Sequence, residues 1–568
     1  MEGIPMRKIA AFVSCLLASA AVPAFAQEED DYFILYDGPR AEITVLASGQ
    51  PTRLDTTGQP ITLFTAEDID ALQGVDFVRL AERIPGVTVS RNGGAGSFTA
   101  LRVRGAEADQ LLVLVDGVRL ADPAAPKSGF DIGTLALGSL ARVELLRGAN
   151  STIWGSQALG GVLAVESRLP QGAELAAEYG AYDSFYGSAA AGVEAGPVSL
   201  ALGGGYQTSD GFSAAAGGTE ADGHRQFDLS ARASAQVSEH LSAFAVARFA
   251  DARLDTDGYP YPPGTLADTE EYQDTRQVSG QAGLAWGSDQ FDLKASFSQA
   301  DTERQNYDPA YGTAPGYTAD GTSRMADLRG RFQPLDDVQL RFGAEREWTT
   351  FATLFDTRRS TVTSAAYAQA DYNSGPLHLA LGLRRDEHRG FGGAWSLGAD
   401  GSYELAEGLR LRASYGEGFR APSLFELLSD YGNAALRPER ARSYDAGLNW
   451  QAGSLSLALT GFRRDTHDQI VYDGCYLVTT GICAGRPNGT YDNRARTRAQ
   501  GIEVEAAVAV TDGLNLSAVY SLIDTEDRTP DSANRGNALI RRPRHAATLS
   551  ADWSPVQNVS LAADLRLV

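Results

Sequence analysis

After Val22 the chain has no apolar run approaching the roughly 20 residues that a membrane-spanning helix needs, so any crossing of a bilayer by the rest of the protein falls to strands. Cysteine and methionine are scarce, at three residues each, and there are only six histidines (His224, His240, His378, His388, His467 and His545), scattered without metal-ligand spacing. No Gly-x-Ser-x-Gly nucleophile elbow is present, and Gly203-Gly204-Gly205 interrupts an alternating segment instead of joining a strand to a helix as a phosphate loop would. No catalytic constellation is visible, which argues against an enzyme, and no covalently held cofactor is implied. Basic residues are outnumbered 49 to 72, for a net charge of −23, which excludes nucleic acid as a partner.

What is present begins with an export signal. Arg7 and Lys8 precede the apolar stretch Ile9 to Val22, and Ala24-Phe25-Ala26 forms a small-x-small cleavage site before Gln27, so residues 1–26 read as a signal peptide. Cys15 leaves with it. Cys475 and Cys483 remain, and an even count in an exported chain predicts one local disulfide, two sulfurs without nearby histidines making a poor zinc site.

Two grammars follow. Residues 42–168 read as one small α/β unit. Thr65-Ala66-Glu67-Asp68 is a helix start, and Phe77, Leu80, Ala81 and Ile84 mark a second short helix stopped by Pro85-Gly86. Val87-Thr88-Val89, Leu101 to Arg104 and Leu111 to Val115 are strands. Ahead of them, Glu42 to Ala47 is extended and follows a polar flank, which suits either a strand offered to a partner or an ordinary first strand.

From about Ala173 the chain turns to segments of roughly ten residues with every second residue apolar, such as Val198-Leu200-Leu202, Leu241 to Ala247, Phe291 to Phe297, Leu409 to Tyr415 and Leu455-Leu457-Leu459. One fatty face and one wet face suit a transmembrane antiparallel β-barrel, or the two sheets of a soluble sandwich; the export signal and the number of strands favour the barrel. Short links (195–197, 334–336, 374–376) alternate with long polar stretches (208–225, 253–273, 302–322, 419–440, 466–492, 525–538), which places the short links on the periplasmic side and the long loops outside. The fold class is therefore mixed: an α/β plug within a transmembrane β-barrel.

Particular motifs carry a resemblance. Leu80 to Val87 (LAERIPGV), Arg91-Asn92-Gly93-Gly94, Val103-Arg104-Gly105, Val115 to Arg119 (VDGVR) and Val143 to Gly148 (VELLRG), running on to Trp154-Gly155-Ser156 and Gly160-Gly161-Val162, resemble the plug of TonB-dependent outer-membrane receptors. Tyr415 to Leu424 (YGEGFRAPSL), Leu436 to Glu439 (LRPE) and Gly501 to Glu505 (GIEVE) resemble their barrels. Asn92 to Gly96, Asp116 to Leu120, Asn306 to Pro309 and Tyr311-Gly312 look most like the cobalamin receptors of that family, with ferric-siderophore receptors sharing most of the plug grammar.

The resemblance implies a tail at 27–50 holding a Ton box (Glu42, Ile43, Thr44, Val45, Leu46, Ala47), a plug at 51–168 and a barrel at 169–568. It implies active transport of cobalamin across the bacterial outer membrane by a monomer set in lipid and lipopolysaccharide and driven by a TonB-type energy-coupling protein. Ferric-siderophore uptake is the alternative, and a passive porin-like channel the alternative from another class. Ligand contacts are expected from two outward plug loops, at Ser97, Phe98, Thr99, Leu120, Asp122 and Ser128, whose glycines either admit a bulky ligand or simply build turns. Asp210, Glu220, Asp222, Asp255, Asp257 and Asp268 are candidate Ca²⁺ ligands, or else solvated acids. Arg104, Arg147, Asp445 and Glu503 match an ionic lock between plug and wall, with Asp445 shorter than the family's usual glutamate. About 19 strands are countable against the family's 22, so the barrel is expected to be truncated at its C-terminal end.

Overall fold

The computed structural model describes residues 43–72, 76–127, 129–260, 264–556 and 559–568. The signal peptide, the acidic stretch after it, Glu42 and Ser128 lie outside the described residues. No described helix is long and apolar enough to cross a membrane, a statement that does not bear on strands.

The small domain is built on a five-stranded sheet in the order Ile61–Phe64, Leu140–Arg147, Gly161–Ser167, Leu111–Val115, Val118–Arg119. Leu111–Val115 runs parallel to Gly161–Ser167, and the remaining pairs are antiparallel. Helix Ala66–Leu72 begins where Thr65 and Asp68 exchange bonds: the Thr65 amide donates to Asp68 Oδ2 at 2.9 Å, and the Asp68 amide to Thr65 Oγ1 at 3.4 Å. Helix Phe77–Ala81 starts on Asp76, whose carboxylate accepts from the Val78 amide at 3.0 Å. It ends ahead of Gly86, which supplies a φ of +76°. Ile69, Leu72, Phe77, Leu80, Val113, Val143 and Leu163 meet in one core cluster, each fully buried large side chain contributing about 1.5–3 kcal/mol.

Around this domain runs a single antiparallel sheet of nineteen strands in chain order, from Gly172–Gly180 to Val559–Leu567. These two edge strands are each paired on one side, and no pairing joins them among the described residues. Strand Leu377–His388 shows the polarity of the wall. Leu379, Leu381 and Leu383 point outward, Leu381 being 59% exposed, while His378, Arg384, Asp386 and His388 are buried inward. A soluble sandwich buries its apolar face, so this arrangement suits a wall bathed in lipid with its wet face on the plug. The Cys475–Cys483 disulfide is formed, its Cα atoms 5.3 Å apart, within a long loop at the end opposite the short turns.

Candidate functional site

The described part of the segment read as either an offered strand or an ordinary first strand is folded into the plug. Among its described residues only Ile43–Thr44 is extended, paired with Thr52–Arg53, and the backbone turns from Val45 to Gly49, whose φ is +73°. The cause is local: the Thr44 hydroxyl accepts from the Leu46 amide at 3.1 Å, and the Gly49 amide donates to the Val45 carbonyl at 2.8 Å. Leu46 is 0% exposed, and Ile43, Thr44 and Ala47 are also buried.

Four plug side chains hold this segment. Thr44 Oγ1 donates to Glu144 Oε2 at 2.5 Å, Arg142 donates to the Ile43 carbonyl, Trp154 Nε1 donates to the Leu46 carbonyl at 2.9 Å, and Gln59 Nε2 donates to the Ala47 carbonyl at 3.0 Å. Gln59 also reaches the wall, donating to Asp400 Oδ2 at 3.0 Å, beside the Gly58 amide on Asp400 Oδ1 at 2.9 Å. The helix Ser151–Trp154 is itself held by the wall. Arg384 donates to the Ile153 carbonyl at 3.3 Å, and the Phe419 amide donates to Ser151 Oγ at 3.1 Å. The latch and the barrel are thus mechanically connected.

The four residues of the ionic lock come together in the buried lumen. Arg104 meets Glu503 with two bonds, of 2.7 and 2.8 Å, and also pairs with Asp445. Arg147 donates to the same Glu503 at 2.8 Å and to Glu505 at 2.8 Å. Arg104 also lies 4.5 Å from the centre of the Phe462 ring. Burial alone would lower the Arg104 pKa; the Asp445 and Glu503 carboxylates outweigh it and hold the group above its ordinary value.

Further plug-to-wall contacts join distant residues. Arg420 pairs with Glu426 and Glu439 and lies 3.4 Å from Asp109 of the plug. Arg83 of the plug reaches Asp552 and Asp564 of the wall. Strand parity was the signal available for the wall partners: each stands at an inward position, where a charge needs a counter-charge.

Of the residues expected on the outward plug loops, Phe98 is 46% exposed. Three other positions are buried. Ser97 is buried and donates to the Gly94 carbonyl, Thr99 is buried between the Ser97 carbonyl and Arg91, and Leu120 belongs to the plug core. Strand Thr99–Val103 is buried along its whole length, so outward loop position did not translate into outward side chains. Asp122 accepts from Arg304 at 2.6 Å and from the Ala124 amide at 2.8 Å, and burial still raises its pKa.

At the outer mouth, carboxylate oxygens of Glu220, Asp257 and Asp268 all lie within 4.8 Å of one another. Asp222 stands beside them, its Oδ2 accepting from the Ala214 amide at 2.7 Å and its Oδ1 buried without a hydrogen-bond partner. Burial and the charges of Asp268, Asp222 and Asp257 push Glu220 up to about 7; burial, then Asp257 and Asp255, push Asp222 up to about 6. The other two candidates are not among the three clustered carboxylates. Asp255 is 3.7 Å from Arg253, and Asp210 is not one of the clustered carboxylates.

Comparison with known proteins agrees with this architecture. Residues 240–566, more than half of the chain, match the family model described as TonB dependent receptor-like, beta-barrel, and residues 53–162 match the TonB-dependent Receptor Plug Domain. Among solved structures, the siderophore receptor PirA from Pseudomonas aeruginosa superposes with a TM-score of 0.70 at 18% identity over 89% of each chain. A mutant ferric enterobactin receptor, PfeA, from the same organism, in complex with enterobactin, gives 0.74 at 18% identity over 89% of this chain and 86% of that one. The FrpB iron transporter from Neisseria meningitidis gives 0.73 at 15% identity, covering 90% and 86%. At these identities the likeness is one of fold.

Proposed function

The chain belongs to the TonB-dependent receptors, and from that premise we propose that it imports a scarce, bulky ligand across the outer membrane, powered by an inner-membrane coupling protein. One observation carries the reading: Ile43, Thr44, Leu46 and Ala47 are buried, Val45 is half-buried, and the segment is bonded at almost every backbone carbonyl. A coupling protein that captures a strand by β-addition needs those backbone groups free, so the segment must be released first. Ligand seated above the plug would loosen the Trp154 and Gln59 contacts through the wall residues that hold them, and a pull on the released strand would open a path. The substrate undergoes no covalent change, and the protein works as a monomer.

Cobalamin is the ligand that the motif resemblance implies, and an acidic mouth able to hold calcium would suit it, while the solved neighbours are siderophore receptors. Glu220, Asp257 and Asp268, with the unpaired Asp222 Oδ1, form an oxygen donor set suited to Ca²⁺, which takes 6–8 oxygens. Calcium held there would neutralise the converging carboxylates and order the loops over an uncharged corrinoid. The second reading, a ferric siderophore, takes its support from the ligands named for the solved neighbours.

The test is a binding titration of the full-length protein with cyanocobalamin, with and without Ca²⁺, beside a ferric catecholate. Calcium-strengthened binding of cyanocobalamin supports the assignment. Binding of the ferric chelate alone overturns the ligand and leaves the transport class intact.

A further inference from the structure

Three arginines from three parts of the molecule converge on the plug loop that follows strand Thr99–Val103. Arg102 belongs to that strand, Arg464 to the wall strand Leu455–Asp473, and Arg542 to the long outer stretch between Leu514–Asp527 and His545–Val556. Arg464 donates to the Val103 carbonyl at 3.4 Å, and Arg542 Nε donates to the Gly105 carbonyl at 3.4 Å. Arg541 takes a left-handed φ of +57°, a costly conformation for arginine, at the turn that brings Arg542 against the plug. Arg102 is 8% exposed, Arg464 5%, and the Arg542 side chain 4%.

One acid serves all three. Glu107 Oε1 lies 2.6 Å from Arg542, while its Oε2 is 3.8 Å from Arg102 Nε, too far for a hydrogen bond. Asp109 of the same loop lies at Arg420, 3.4 Å away. Among the described residues no carboxylate is within ion-pair distance of Arg464, and the Nε atoms of Arg102 and Arg464 are buried without a hydrogen-bond partner. Burial, and after it the Arg542 charge, lowers the Arg102 pKa, the reverse of what two carboxylates do for Arg104. Three guanidiniums against one carboxylate leave an excess of positive charge away from bulk water, a costly arrangement that an anion relieves.

We propose that Arg102, Arg464 and Arg542 bind a small divalent oxyanion of the phosphate or sulfate class, with Glu107 competing for the same guanidiniums. The Glu107 side chain is 29% exposed, so it can swing toward water and leave the three arginines to one dianion. Each guanidinium offers a planar fork that meets oxyanion oxygens in pairs. The site lies between plug and wall, away from the lipid face, so it takes a free anion and not a lipid headgroup. Bound there, the anion ties a plug strand, a wall strand and an outer loop together and holds the plug in its seat. The inference is independent of which ligand is transported.

Titration calorimetry and thermal unfolding of the full-length protein with inorganic phosphate, at fixed pH and with chloride balancing the ionic strength, test it. The proposal expects saturable binding and a rise in unfolding temperature that chloride does not give. Arg464→Gln keeps the pair of Glu107 with Arg542 and should weaken phosphate binding roughly tenfold or more, the effect of one charge-assisted bond. Glu107→Gln removes the competing carboxylate. It should be less stable in chloride, bind phosphate roughly threefold tighter or more, and regain its lost stability when phosphate is added. Arg463→Gln, whose partner is Asp465 on the outward face, should leave binding unchanged. Binding that does not saturate, or that is equal in Arg464→Gln, means an adventitious ion only and overturns the proposal, as would weaker phosphate binding in Glu107→Gln.

Discussion

The indole of Trp154 donates to the carbonyl of Leu46 across 2.9 Å, and both residues are buried. These positions are 108 residues apart in sequence. Their bond ties the segment that an energy-coupling partner would take to a short helix that the barrel wall holds in place. Every step of the proposed cycle depends on how firmly that contact is made and how it is broken.

Replacing Trp154 with Phe keeps most of the ring and removes the donor, leaving the Leu46 carbonyl unsatisfied, a loss of about 1–3 kcal/mol. The expected result is a roughly fivefold or greater rise in the labelling rate of a cysteine placed at Val45, read in the purified protein without ligand. Glu144→Gln, which weakens the hold on Thr44, should act in the same direction.

The ionic lock should respond unequally to its two acids. Glu503 is shared by Arg104 and Arg147, so Glu503→Gln leaves two buried cations short of a counter-charge and should destabilise the plug by about 3–5 kcal/mol. Asp445→Asn leaves Arg104 paired with Glu503, and calorimetry should show a distinctly smaller loss.

The acidic mouth predicts a pH dependence with a definite sign. Glu220 is raised from 4.5 to about 7, and Asp222 from 3.8 to about 6, so the folded loops bind protons more tightly than the unfolded chain between those values. Without a cation, this contribution to stability is present at low pH and is lost as pH rises toward 7. Calcium must displace those protons, so its affinity, measured by titration calorimetry, should climb between about pH 5 and pH 7 and level off above that. Asp257→Asn should lower the affinity at every pH.

Much of this molecule is legible in its sequence, and what is not has a common cause. Alternation along Leu377–His388 suffices to say that Leu381 faces out and Arg384 faces in, because the period of a strand is two whatever lies beside it. Arg104, Arg147, Asp445 and Glu503 could be named together because they match the family's plug-to-wall lock; inward alternation by itself pointed only to Glu503 as a partner for the two arginines. What strand parity could not tell is which partner: Asp109 meets Arg420, and Gln59 meets Asp400, only once the plug is seated. The burial of Thr99 has a related reason. A plug strand covered on both faces has no outward side, so its hydroxyl turned to Ser97 and Arg91. The segment after Ile43 looked extended by composition; the Thr44 hydroxyl and Gly49 turned it.

The most direct test is uptake of labelled cyanocobalamin by cells carrying either the intact protein or a form lacking residues 43–47, with surface binding measured in parallel. The account predicts unchanged binding and uptake reduced to the level of cells without the receptor. Uptake that persists at the intact rate without the segment would mean passage through a passive channel, and would contradict it.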